Sequence, residues 1–268
     1  MKQLKLMVLT LTLLMGTMFT FSCMDSGESG PQQWAGVVKV NDRMGYVTFT
    51  DAAGTELIPT NTIPVTLNAR MAYIYCQVDE GQDLSTNPKS IKITLLADPT
   101  GIDATAITTP KVGESGDVTT NAPVGSLSFA SGYSTVAPFQ FSENTIVLPV
   151  LYRVKNVTTT EDIKNELAKH TFTLVCYTDD IKSGDTILKL YLRYKVEDEP
   201  AAIAERATRT SSFKAYEISQ ILREYTLKSG QAKPAKITIV AKQNEYNNKL
   251  EDTSTTEKVY EIEYKTAE

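Results

Sequence analysis

Leu188-Lys189-Leu190-Tyr191-Leu192-Arg193-Tyr194-Lys195-Val196 decides the class of fold. Side chains of an extended strand alternate between its faces, so the three leucines, Tyr194 and Val196 point one way and Lys189, Tyr191, Arg193 and Lys195 the other. That is a sheet with one dry and one wet face. Working outward, Tyr260, Ile262 and Tyr264 likewise oppose Glu261, Glu263 and Lys265. Further strand patterns occupy 125–130, 145–155, 171–178, 213–218 and 235–242, which with 186–197 and 258–265 predict a seven-stranded sandwich over residues 124–268. Thr158 followed by Glu161 has capping-box spacing, and Ile163 and Leu167 share a helical face, predicting a short helix over 161–169. Residues 219–224 are a second, weaker helix candidate, and 243–257 read as a polar hairpin loop.

Upstream, short period-two runs at 35–40, 45–50, 56–59, 72–78 and 90–95 predict five strands. Asn41-Asp42 and Asp51-Ala52-Ala53-Gly54 supply turn chemistry between the early ones. Five strands in so short a span predict a small barrel over residues 34–98. Proline, glycine and threonine then interrupt the apolar rhythm, which predicts a linker over 99–123. The expected fold class is all-β: a small five-stranded barrel followed by a β-sandwich, with one or two short helices.

The first residues set the address. Lys2 and Lys5, an apolar run from Leu6 to Phe21, and then Ser22-Cys23 follow the order of an export signal over residues 1–22. A cysteine directly after a small residue is what a lipoprotein signal peptidase requires, which makes Cys23 the expected lipid attachment site. Acyl chains contribute about 0.8 kcal/mol per buried methylene and hold a protein on a membrane without a transmembrane helix. Residues 23–33 are small and polar and read as a flexible tether. The expected location is the cell envelope, with the lipid in the outer membrane of a Gram-negative bacterium.

Of the 268 residues, 41% are hydrophobic and 22% charged, ordinary for a chain that builds its own core. Removing the signal leaves 25 basic against 32 acidic side chains, a net charge of −7. Such a balance repels phosphate backbones, so nucleic acid is not an expected partner. Cys76 and Cys176 each sit in an apolar strand pattern and read as buried thiols, with a disulfide between them as the alternative in an oxidising compartment.

Chemistry-bearing motifs are sparse. His170, the single histidine, falls where the first helix ends, a position that suits a cationic cap against the negative end of the helix dipole. No Gly-x-Ser-x-Gly elbow, His-Glu-x-x-His, phosphate loop or Cys-x-x-Cys is present. Ser211-Ser212-Phe213-Lys214 matches the string Ser-x-x-Lys, but in a strand those two positions face opposite ways. Acidic clusters at 79–83 and at Asp179, Asp180, Ser183 and Asp185 offer oxygen ligands for calcium, with solvated turns as the commoner reading. Asp185-Thr186-Ile187 resembles a short bacterial O-glycosylation acceptor motif. Tyr73 and Tyr75 share a strand face that Tyr46 joins, a candidate platform for a glycan or peptide on the barrel. No catalytic residue, metal ligand or cofactor site is expected.

Trp34, Gly45-Tyr46-Val47-Thr48-Phe49 and Gly54-Thr55-Glu56-Leu57-Ile58-Pro59, followed by His170-Thr171-Phe172-Thr173-Leu174-Val175, Leu188-Lys189-Leu190, Ser212-Phe213 and Lys236-Ile237-Thr238-Ile239-Val240, resemble the NigD-like lipoproteins. The resemblance spans nearly the whole mature chain. It implies an OB-like barrel and a C-terminal β-sandwich, and it brings no catalytic residue. The expected role is therefore a non-enzymatic binding or interaction module of the envelope, with a glycan, peptide or protein as partner. Bacteriocin immunity or envelope protection, which the resemblance suggests, and a fimbria-type structural subunit are the rival readings.

Overall fold

A computed structural model describes residues 32–61, 67, 69–82, 84, 88–114, 116–131 and 134–266. The expected signal, Cys23, nearly all of the tether and Asp83 lie outside these. The chain divides into two compact units, the first running to Ile102 and taking in Ala130–Val136, the second made of Asp103–Phe129 and the residues from Ala137 onward.

In the first unit, alternation of large apolar with polar residues yields β1 (Gln33–Arg43), β2 (Tyr46–Thr50), β3 (Glu56–Pro59), β4 (Met71–Val78) and β5 (Ser90–Leu95). They pair in the order β1-β2-β3-β5-β4, and β4 returns to β1, so the sheet closes on itself. The β3–β5 pair is parallel and the other pairings of the ring are antiparallel, the connectivity of an OB-type barrel. Closure removes free edges, and the interior is filled by Trp34, Val38, Phe49, Leu57, Ala72, Ile74, Cys76, Ile93 and Leu95. Gly36 is required there: a Cβ at that position would lie 2.6 Å from Cζ2 of Trp34, whose indole crosses it.

The first hairpin differs from expectation in one respect. Asn41 and Asp42 belong to β1, and the turn is Met44-Gly45, both at positive φ (57° and 88°). Asp42 acts from outside the turn, its Oδ1 accepting from the Gly45 amide at 3.0 Å, while the Asn41 side chain donates to Thr50 Oγ1 at 2.8 Å. The Asp51 turn forms as expected, with Oδ1 accepting from the amides of Ala53 and Thr55.

The stretch expected as a linker carries β6 (Thr100–Ile102), paired to β4, and β7 (Ala104–Ala106), which joins the second unit. Thr-Gly-Ile and Ala-Thr-Ala are too short to show an apolar rhythm in the sequence. A two-stranded pair, β8 (Phe129–Ser131) and β9 (Ser134–Val136), follows.

The second unit contains two four-stranded sheets. One has β10 (Phe139–Ser142), β11 (Thr145–Val154), β14 (Thr208–Glu217) and β7 in the order β10-β11-β14-β7. The other, here the outer sheet, has β12 (His170–Val175), β13 (Ile187–Val196), β15 (Lys236–Gln243) and β16 (Thr256–Glu263) in that order, with β13 and β15 parallel. Leu188, Leu190, Leu192, Tyr194 and Val196 all face inward and join Ile146, Leu148, Val150 and Tyr152 of β11 in one core.

Among the described residues, three helices connect strands. α1 (Thr160–Ala168) is capped by Thr159, one residue later than the spacing suggested, whose Oγ1 accepts from the Asp162 amide. Its apolar pair is not its buried face: Ile163 and Leu167 are exposed, and Glu166 is turned inward. α2 (Pro200–Ala204) starts on proline, and α3 (Ser219–Ser229) ends on Gly230 in the left-handed conformation, five residues beyond the expected stretch. α3 buries Ile221, Leu222 and Tyr225 against the core.

Candidate functional site

Leaving β12, the chain passes through Tyr177, a 3-10 turn over Thr178–Asp180 and a tight turn at Gly184 before entering β13. Several bonds hold this loop in place. Lys228 of α3 donates from Nζ to the Thr178 carbonyl at 2.9 Å and pairs with Asp179 at 3.0 Å. The Gly184 amide donates to the Ser229 carbonyl at 2.8 Å, and the Tyr225 hydroxyl donates to the Asp185 carbonyl. Asp185 itself accepts from the Lys182 amide at 2.7 Å.

Beside the loop, on the wet face of the outer sheet, lies a cleft of about 500 Å³. Tyr177, Asp180, Ile181, Lys189, Tyr191 and Thr238 are among the residues that line it. The rings of Tyr177 and Tyr191 stand 5.2 Å apart and tilted by 60°. Lys189 Nζ lies 5.0 Å from the Tyr191 ring centre, and the Arg193 guanidinium lies 5.1 Å from the same ring and 5.6 Å from that of Tyr177. These residues alternate along β13 or follow β12, so strand geometry alone lines them up. Arg193 donates to the Tyr177 hydroxyl at 2.8 Å, which donates to Asp117 at 2.9 Å. The Gly113 amide foremost, then the bond from Tyr177 and the charge of Arg193, holds the Asp117 carboxyl below its ordinary range, whereas burial pushes the Tyr177 phenol up. The result is an ordered row of rings and cations, with Asp180, Ile181 and Thr238 completing the walls.

A second polar cluster is closed. Arg206, fully buried, donates from Nε to Glu166 at 2.7 Å and from Nη2 to Asp198 at 3.0 Å. The Lys155 amide donates to Glu166 at 2.9 Å, and the amines of Lys155 and Lys169 each lie 3.2 Å from Asp198. His170 bridges Glu166 (3.3 Å from Nε2) and the Tyr194 hydroxyl (2.6 Å from Nδ1). The expectation of a cationic helix cap at His170 is thereby corrected. The residue is already in β12 and buried, and burial depresses its pKa despite the neighbouring Glu166, leaving a neutral ring that donates to the carboxylate and accepts from Tyr194. For Glu166 burial acts upward, but the bonds from Lys155, Arg206 and His170 outweigh it and the pKa is lowered.

The remaining candidates are dispersed. Interior positions on β4 are Ala72, Ile74 and Cys76, so Tyr73 and Tyr75 share the outward side, opposite Val37 and Ala35 of β1. The Tyr75 hydroxyl donates to Gln33 at 2.5 Å. Tyr46 pairs with Arg43, six residues further along β1 than Val37, or about 20 Å along a strand. The three tyrosines therefore do not form one cluster. Asp79, directly after β4, accepts from Thr94 of β5 at 2.8 Å. No group of three or more His, Cys, Asp or Glu among the described residues is placed to hold a metal ion. Cys76 and Cys176 are free thiols, each in its own unit, with pKa pushed up to about 12 by burial. The cleft itself was not anticipated. Its signals were the wet face of β13 and the acidic turn before it, which the sequence shows separately but does not join.

No protein-family model matches the chain, and neither does any curated protein. Among solved structures, a Bacteroides fragilis protein assigned as a lipoprotein is 95% identical, with 88% of this chain and 100% of that chain covered and a TM-score of 0.82. The chain belongs to that lipoprotein family. This lipoprotein is also similar in fold to a Bacteroides vulgatus protein of unknown function, at 11% identity, 87% and 91% coverage and a TM-score of 0.55. A NigD-like immunity protein from Bacteroides caccae aligns at 10% identity over 84% of this chain and 90% of that one, with a TM-score of 0.48. Membership of a lipoprotein family fits a place in the cell envelope, and no described helix is long and apolar enough to cross a membrane.

Proposed function

We propose that this lipoprotein is a non-enzymatic binding module, held on the outer membrane by lipid on Cys23, whose cleft on the outer sheet takes a glycan, peptide or protein segment. The observation that carries the reading is the row Lys189, Tyr191, Arg193 and Tyr177: aromatic rings and cations already ordered by one another, of which Lys189, Tyr191 and Tyr177 form part of the wall of an open cleft. Pre-ordered side chains lose little entropy on binding, and aromatic and arginine side chains are the usual anchors of recognition surfaces. The groups best suited to covalent catalysis are shut away, since His170 is neutral and buried and both thiols stay protonated at any physiological pH. Tyr73 and Tyr75 are proposed as a secondary contact on the barrel, with Tyr46 acting apart from them.

Residues 24–268, purified without the lipid, are to be screened on glycan and envelope-peptide arrays with and without calcium. Saturable binding that Tyr191→Ala abolishes is the expected result. Binding lost instead on changing Tyr73 and Tyr75 to Ala moves the site to the barrel. No binding under either condition contradicts the reading and favours immunity or fimbrial assembly, where the partner is one specific protein.

A further inference from the structure

Of the three places where an aspartate precedes Ser or Thr in this chain, only Asp185-Thr186 is followed by an aliphatic residue, Ile187. Asp252-Thr253 leads into Ser254, a polar residue. At 185–187 the surroundings are those of an acceptor. Thr186 and Ile187 are exposed, and the Thr186 hydroxyl has no hydrogen-bond partner among the described residues. The backbone there is nevertheless immobilised: the Ala235 amide donates to the Thr186 carbonyl at 2.8 Å, and the Lys182 amide donates to the Asp185 carboxylate at 2.7 Å. The segment follows the positive-φ turn at Gly184: Asp185 and Thr186 precede β13, and Ile187 is its first residue, paired with Lys236 at the start of the strand.

We propose that Thr186 is an O-glycosylation site, modified after export. The Thr186 Oγ1 attacks the anomeric carbon of a sugar carried as a glycosyl diphosphate. A C–O bond forms to Oγ1, the bond from that carbon to the diphosphate breaks, the hydroxyl proton passes to the transferase, and the diphosphate carrier departs. Thr186 is among the residues that line the cleft, so the attached sugar shares that space with any free ligand; the modification is read from peptide mass, separately from the binding screen.

The test uses the full chain with its own signal, expressed in a Bacteroides host and digested with trypsin. Cleavage after Lys182 and Lys189 releases residues 183–189, which contain one other hydroxyl residue, Ser183. The expected result is a sugar mass on this peptide, placed on Thr186 by electron-transfer fragmentation, absent in Thr186→Val and retained in Thr186→Ser. Asp185→Asn, which keeps the side chain's shape, is expected to reduce occupancy at least ten-fold with an unchanged thermal unfolding midpoint. Recovery of the peptide only in unmodified form overturns the proposal, as does a sugar on Ser183 or one that persists in Thr186→Val.

Discussion

The second unit holds two clusters built from the same residue types, one closed and one open. Arg206, Glu166, Asp198, His170 and Tyr194 lie at the junction of α1, α2 and the ends of β12 and β13, and the arginine side chain is fully buried. Arg193, Tyr191 and Lys189 lie on the wet face of the same β13, beside a cleft, with Tyr177 from the end of β12 and Asp117 from a turn bonded to them. In the first, the Arg206–Glu166 pair has left water, with Asp198 at its partly exposed margin, so removing Arg206 leaves the Glu166 charge buried without its counter-charge. In the second, only Tyr177 is buried, and the Lys189 and Tyr191 side chains beside the cleft stay in reach of solvent, which screens the charges there, so their order is available to a ligand. Tyr194 and Tyr191, three positions apart on one strand, belong to different worlds because a strand alternates its faces.

The comparison breaks most readily at Arg206. Arg206→Met leaves Glu166 buried and unpaired and is expected to cost about 3–5 kcal/mol in urea unfolding. A change below about 1 kcal/mol would show the closed cluster to be solvated after all.

Acid sharpens the same contrast. The folded pKa of His170 is depressed below 6.5, so between that value and its folded one the unfolded chain binds a proton that the folded chain refuses. Stability is therefore expected to fall as pH drops below about 6.5. Glu166, lowered from 4.5, adds stability that is complete above that value and is lost on further acidification. His170→Gln is expected to flatten the upper part of this profile, read from thermal midpoints at a series of pH values. An unchanged profile contradicts a neutral buried imidazole.

Cys76 and Cys176, also closed, are expected to resist iodoacetamide in the folded protein and to label fully in urea, as counted by intact mass. Smallest in stability is the open cluster: Tyr191→Ala is expected to shift unfolding by no more than about 0.5 kcal/mol.

Much of this arrangement was legible in the chain. The alternation at 188–196 located the inner and outer faces of β13, and five short runs with their turns located the barrel strands, because burial on one side imposes a period that a sequence displays directly. Three-residue strands such as β6 and β7 impose no such period. The first hairpin was displaced because Asp42 caps its turn from outside and Met44 occupies a left-handed position that sequence reading assigns to Gly or Asn. His170 was misread because Glu166, Arg206 and Tyr194, four, thirty-six and twenty-four positions away, convert a helix end into a buried network. The cleft needs β12, β13, β15 and the 178–186 loop together, and only tertiary pairing does that.

The most direct test of the account is the equilibrium dissociation constant of an array-selected ligand for the unmodified protein and for Tyr191→Ala, with thermal unfolding of the same two samples. The account predicts at least ten-fold weaker binding, about 1.4 kcal/mol, with the unfolding midpoint unmoved. Equal affinity for both proteins would contradict it and remove the outer-sheet cleft as the binding site.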